Sequence, residues 1–400
     1  MEVNRPGIIW LFLAAAAVLV LPTGAAAAKS QKGVAYDLDG TPTPHPASLN
    51  QLDLYTPDDV GAGAARPVVV YVHGGGWSRG DKGNKIADKV NLFTGAGYLF
   101  ASVNYRLSPD PPDPSYPPDR VRFPTQPGDV AEALAWLERN VAAYGGDPRR
   151  ILLIGHSAGA QIVALLSTDS SFVTGWGIDP AHLLGTVALD GDAYDVAGRV
   201  ASGNNQMKQL IYNGFATPAE NAAEGTWATA SAILHADPAD PDLLLVTQGG
   251  APGRVANAEA MATALGQDPA ASVFRAPYDH AGINQAVGSP TDAAGETEAI
   301  MNFFASKAAA ASRVRILKRP KTLIKLRHGK RFRVRFRFEA EGGASSFQCR
   351  LDSHSFRRCS SPQGYRVKPG RHSFRVVAVG AAGERGPVRR IGFRVRDRRR

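Results

Sequence analysis

At 400 residues, with 44% apolar and 20% charged side chains, the chain has the composition of a globular protein with room for two domains; a disordered or collagen-like chain is excluded. The formal net charge of +10 is unevenly spread. Residues 313–400 hold 27 Lys/Arg against 5 Asp/Glu, a net of +22, while the preceding 312 residues hold 19 against 31, a net of −12. An acidic body with a basic tail implies two modules with separate tasks.

The N-terminus reads as an export signal over residues 1–28. A short head containing Arg5 precedes the apolar run Ile8–Leu21, then Pro22, Gly24 and the alanines 25–28 supply a small-residue cleavage context. The apolar run is shorter than a bilayer span requires. The two cysteines, Cys349 and Cys359, both lie in the basic tail. In an exported chain so close a pair is expected to form one disulfide. Two cysteines without clustered histidines make no structural zinc site, and neither metal nor cofactor is expected.

Residues 29–65 form a polar, Pro-rich lead-in, with an early strand over Leu49–Tyr55. From residue 66 to 307 the pattern alternates strand and helix. Pro67–Val72 and Tyr98–Asn104 are β-branched runs. Eight prolines between residues 108 and 127 predict an extended surface loop. Val130, Leu134, Leu137 and Val141 at helical spacing predict a helix over Asp129–Tyr144. Arg150–Ile154, Gly185–Leu189, Leu243–Thr247 and Ser272–Arg275 follow as strands, with helices over Ala158–Leu166 and Asn257–Leu265. Such alternation predicts an α/β fold whose mostly parallel sheet is covered on both faces. After a small-residue linker at 308–312 the grammar changes. Apolar residues alternate with arginine in Arg331–Phe338, His372–Val379 and Arg390–Val395, which predicts a small β-sandwich over 313–400.

Gly155-His156-Ser157-Ala158-Gly159 falls between a predicted strand and a predicted helix. Flanking glycines there permit a sharp turn that exposes Ser157 as a nucleophile. A hydroxyl needs a base to take its proton. His280, on the segment after the last predicted strand, is the candidate, because chain order in this arrangement runs serine, acid, histidine. The acid is expected after the penultimate strand, yet Thr247–Arg254 contains no carboxylate. Asp190, directly at the end of the preceding strand, is the first choice, with Asp192 and Asp195 behind it. Upstream, the glycines of His73-Gly74-Gly75-Gly76 let backbone N–H groups face inward, as an oxyanion hole requires. His73 and His156 are expected to fix their loops and not to titrate.

These residues, with Asn104–Pro109, Phe123-Pro124 before Asp129, and Tyr144–Pro148, resemble the α/β-hydrolase superfamily, in particular its HGGG-type esterases of the hormone-sensitive-lipase-like and feruloyl-esterase-like kinds. The likeness spans roughly residues 50–305. It implies that Ser157 attacks an acyl carbon while His280 accepts the proton, and that the N–H groups of Gly75, Gly76 and Ala158 hold the oxyanion. The acid position is where the sequence departs from the family. The tail, through Phe347–Asp352 and Cys359–Pro362, is similar to bacterial immunoglobulin-like domains of envelope proteins.

A secreted, monomeric carboxylic-ester hydrolase acting on a small ester is the reading these features favour. Arylformamidase or peptidase activity, or a non-catalytic envelope-binding relative, are the alternatives. The basic module is expected to engage an anionic envelope polymer or polysaccharide. It lacks a motif for specific nucleic-acid recognition.

Overall fold

The protein is seen as a computed structural model that describes residues 29–38, 40, 46–58, 65–110, 112–311, 313–326, 332–341, 344–380 and 385–397. Eight strands build the main sheet: β1 (Lys29–Ala35), β2 (Gln51–Thr56), β3 (Arg66–Val72), β4 (Leu99–Val103), β5 (Gly146–His156), β6 (Leu183–Leu189), β7 (Leu243–Gln248) and β8 (Val273–Ala276). Their order is β1-β2-β4-β3-β5-β6-β7-β8. The β1–β2 and β2–β4 pairs are antiparallel and all others parallel.

Both faces of this sheet are buried, which is why its central strands are continuous apolar runs and not alternating ones. In β3, Val68, Val70 and Val72 join one core with helices Thr125–Asn140 and Ala158–Thr168. Val69 and Tyr71 point the other way, to Phe93 of helix Ala87–Gly95 and to Ile300 and Phe304 of helix Glu296–Ala311. All eleven residues of helix Ala158–Thr168 are buried. Parallel strands align their carboxyl ends, so the segments that follow β5, β6, β7 and β8 converge on one crevice.

Several expectations are corrected. The lead-in holds the edge strand β1, in addition to the early strand. The proline-rich stretch is not loop throughout: its last residues are the first turn of helix Thr125–Asn140. Pro127 is tolerated there because first-turn N–H groups have no intrahelical acceptor. Nor is the stretch wholly at the surface, since Arg120, Val121 and Phe123 are buried. The helix expected over Asn257–Leu265 begins at Pro252. The linker expected at 308–312 is helical through Ala311, with Ala308 buried and its carbonyl accepting from Arg150 at 2.9 Å. The export-signal segment 1–28 lies outside the described residues. Among the described residues no helix is long and apolar enough to cross a membrane.

The basic tail folds as two sheets over one core. A five-stranded sheet contains β10 (Leu323–Leu326), β16 (Arg389–Asp397), β15 (Gly370–Gly380), β12 (Ala344–Leu351) and β13 (Arg357–Cys359) in that order. A three-stranded sheet contains β14 (Gln363–Val367), β11 (Phe332–Glu341) and β9 (Arg313–Lys318). Val334, Phe336 and Phe338 turn inward while Arg333, Arg335 and Arg337 stay exposed, which is the period-two pattern read from the sequence. Phe336 stacks on Phe374 of the facing sheet with ring centres 3.9 Å apart. Cys349 and Cys359 are bonded, as expected. Their bond joins neighbouring strands of one sheet, unlike the inter-sheet bond of antibody domains.

Candidate active site

Ser157 caps helix Ala158–Thr168 with φ 56° and ψ −116°, backbone values that favour glycine and persist only where the surroundings enforce them. Packing supplies that enforcement. A Cβ on Gly159 would lie 2.2 Å from the carbonyl oxygen of Val72, so only glycine lets the helix approach β3 this closely. The turn lifts the Ser157 hydroxyl off the end of β5 toward His280, whose Nε2 is 2.9 Å from Oγ. On the other side of the ring, His280 Nδ1 donates to Asp190 Oδ2 at 2.5 Å. The structure thus brings Ser157, His280 and Asp190 into one relay.

Asp190 directly follows β6 with φ 50°, a left-handed conformation that aspartate tolerates better than most residues. Its side chain is completely buried, yet four groups donate to it and a guanidinium faces it. Besides His280, Oδ2 accepts from Gln248 Nε2 at 2.7 Å and faces Arg254 Nη1 at 3.1 Å. Oδ1 accepts from Thr247 Oγ1 and from the Gln248 amide, both at 3.3 Å. Burial pushes the Asp190 carboxyl up, but the His280 hydrogen bond, the Arg254 charge and the Gln248 amide outweigh it and hold the group below the usual carboxylate range. The β7 loop, which lacks an acid, therefore contributes donors that position an acid from β6. Sequence reasoning missed Gln248 and Arg254; the polar residues in that loop were the available signal.

The runner-up carboxylates do other work. Asp192 pairs with Arg199 at 2.7 Å and with Arg254 at 3.2 Å, and Asp195 caps helix Val196–Ser202 through the Gly198 amide. His156 donates from Nε2 to the carbonyl of His280 at 2.8 Å. Burial, and next the neighbouring His280 charge, push its pKa down to about 4, so it is neutral at physiological pH. His73 hydrogen-bonds the Gly74 carbonyl at 2.7 Å and stacks on Tyr105. Both histidines fix loops, as expected.

The glycine segment lies beside Ser157. Gly75 has φ 123°, and a Cβ there would sit 2.0 Å from the Arg79 carbonyl oxygen. Asn104 and Tyr105 clamp the segment from behind: Tyr105 donates to the His73 carbonyl at 3.1 Å, and Asn104 Oδ1 accepts from Lys82 N. Among the described residues no acceptor takes the amide N–H of Gly75, Gly76 or Ala158. These three residues and the relay line one cleft of about 460 Å³. Trp77, Met207 and Leu210 form its apolar wall, and Asp192, Arg199 and Arg254 a polar one. The histidine and carboxylates of this site do not form a metal-binding cluster. A hydroxyl, a base, a buried anion and free amides around one cavity can perform acyl transfer.

Comparison with known proteins places this geometry. A carbohydrate esterase from gut microbiota, in truncated form, superposes with a TM-score of 0.52 at 19% identity, covering 72% of this chain and 98% of that one. Esterase B from Lactobacillus rhamnosus gives 0.51 at 17% identity, covering 70% and 86%. The fold is that of the α/β-hydrolases. Residues 52–248 of this chain match the BD-FAE family, a span that includes Ser157 and Asp190 and stops before His280. Esterase LipQ of Mycobacterium tuberculosis is 33% identical over 122 residues, 30% of this chain and 27% of its own length. The carboxylesterase NlhH of the same organism is 41% identical over 103 residues, 25% and 28% respectively. The chain spans about a quarter of the length of these two relatives.

Proposed function

We propose that this α/β-hydrolase is a secreted serine esterase that cleaves small carboxylic esters through an acyl-enzyme. The observation that supports it most is the unbroken relay Ser157–His280–Asp190 beside amides with no acceptor among the described residues. Ser157 Oγ attacks the acyl carbon as its proton passes to His280 Nε2. The carbonyl oxygen becomes an oxyanion that the N–H groups of Gly75, Gly76 and Ala158 hold, while Asp190 stabilises the imidazolium. Collapse breaks the ester bond: the alcohol leaves with the proton from Nε2, and the acyl group stays on Ser157. A water then repeats the sequence in the same site and releases the acid.

The relatives' names support ester hydrolysis as the reaction. The apolar wall at Trp77, Met207 and Leu210 suits a short acyl chain, and the Arg199–Asp192–Arg254 wall suits a polar alcohol. Export rests on the N-terminal pattern, and the Cys349–Cys359 bond agrees with an oxidising compartment. We read the 313–397 sheets as an immunoglobulin-like appendage to the enzyme.

Incubation with a fluorophosphonate probe tests the reading. Folded protein should be labelled at Ser157, and Ser157→Ala should abolish both labelling and hydrolysis of p-nitrophenyl acetate. Absence of labelling in folded wild-type protein would sink the proposal.

A further inference from the structure

The β-module contains a feature that ester hydrolysis does not use. Arg350, Arg375 and Arg390 stand in register on the adjacent strands β12, β15 and β16, with strands about 4.8 Å apart. Arg371 faces Arg394, and Lys325 faces Arg396. All project from the outer face, because the alternating residues Phe374, Val376, Ile391, Phe393 and Val395 fill the core. Among the described residues this face holds no carboxylate; the nearby Asp352 is engaged by His372 and the Ser373 amide. Like charges directly opposite one another destabilise a sheet, so this row costs stability wherever no anion neutralises it.

The row ends at a cavity of about 520 Å³ between the edges of β13 and β14. Arg350, Arg357, Arg358 and Arg366 line it with His354 and Tyr365, above the Cys349–Cys359 bond. Arg357, Arg358 and Arg366 have no ion pair among the described residues. The Arg350 Nε is buried without a hydrogen-bond partner, and its guanidinium lies over Phe356 at 4.7 Å. That stacking uses the guanidinium face and leaves its N–H edge for a ligand.

We propose that the cavity and the arginine row form a binding site for an acidic polysaccharide, with one carboxylate in the cavity and its neighbours along the row. Arginine forks match carboxylates bidentately, and a regular row suits a regularly charged chain. His354 and Tyr365 supply hydrogen-bonding partners for sugar hydroxyls beside the arginines. The Phe356 ring beside the row is covered by the Arg350 and Arg385 guanidinium groups, so it is not free to stack on the bases of single-stranded nucleic acid.

Full-length protein titrated onto immobilised polygalacturonate tests the site. Wild type should bind at low salt and weaken steeply as NaCl rises. Arg350→Gln/Arg358→Gln should lose roughly tenfold or more in affinity, the scale of lost charge-assisted hydrogen bonds. Esterase activity should be unchanged, and the melting temperature should not fall. Arg333→Gln/Arg335→Gln, on the three-stranded sheet, removes the same charge and should lose less than about threefold, because exposed charges contribute little individually. Three results would overturn the site: no binding by wild type at low salt, equal losses in both variants, or duplex DNA bound as tightly as polygalacturonate. The second outcome reduces the module to its net charge, and the third to a general polyanion or nucleic-acid surface.

Discussion

Replacing Asp190 by asparagine separates charge from geometry at the relay. Oδ2 accepts from His280 and Gln248 Nε2 and faces the Arg254 guanidinium, whereas Oδ1 meets only Thr247 and the Gln248 main-chain amide at 3.3 Å. An asparagine will therefore place its carbonyl at the Oδ2 position and turn its NH2 toward Thr247, whose hydroxyl can rotate to accept, at the cost of the long Gln248 main-chain N–H contact. The φ of 50° at residue 190 suits asparagine as well as aspartate. The His280 tautomer survives, and the loss is one negative charge facing the imidazolium. At a separation of about 4 Å and an effective dielectric near 20, that charge contributes about 4 kcal/mol, or roughly a thousandfold in kcat/KM. Arg254 then faces the imidazolium with only Asp192 left to balance it, so adding Arg254→Met to Asp190→Asn should restore roughly tenfold. Hydrolysis of p-nitrophenyl acetate, normalised to sites titrated by the acylation burst, measures both. Asp190→Asn within about tenfold of wild type, or a double variant no better than the single, would refute the reasoning.

Gly75→Ala should lower kcat by roughly a hundredfold or more, the scale of losing an oxyanion donor, because its Cβ meets the Arg79 carbonyl at 2.0 Å; single-turnover acylation reads the effect, and an unchanged acylation rate would remove Gly75 from the site. Glu296 is wholly buried, both carboxylate oxygens lack hydrogen-bond partners among the described residues, and burial followed by Asp292 repulsion pushes its pKa from 4.5 up to about 8. The folded state keeps a proton that the unfolded chain has released, so stability falls as pH rises between those two values. Glu296→Gln should flatten thermal melts across that window and melt above wild type at pH 9; an unchanged slope contradicts the assignment. Reducing the Cys349–Cys359 bond, which closes a loop of sequence separation 10, should destabilise the module by about 3 kcal/mol, read as an earlier melting transition that leaves ester turnover intact.

The central strands and the Ser157 turn were legible because burial on both faces and a glycine-flanked elbow leave strong marks in one dimension. Asp190 was legible as a carboxylate ending a strand, but what holds it was not: Gln248 and Arg254 converge only once β6 and β7 lie side by side. β1 was hidden because Lys29–Ala35 is a mostly exposed edge strand with no apolar alternation. The start of helix Thr125–Asn140 was obscured by Pro127, whose helix-breaking effect vanishes in the first turn. Short alanines at 308–311 looked like a linker, although alanine is the best helix former and simply extends helix Glu296–Ala311. Helices Val196–Ser202 and Asn205–Gly214, which wall the cleft, are too short for periodicity to stand out.

The backbone at Ser157 has an evolutionary consequence. A side chain at φ 56° and ψ −116° costs on the order of 1–3 kcal/mol, and glycine would remove that cost at the moment it removed the nucleophile. Selection for thermal robustness alone therefore pulls this position toward inactivity. Laboratory evolution for heat tolerance without an activity screen should drift to glycine at residue 157.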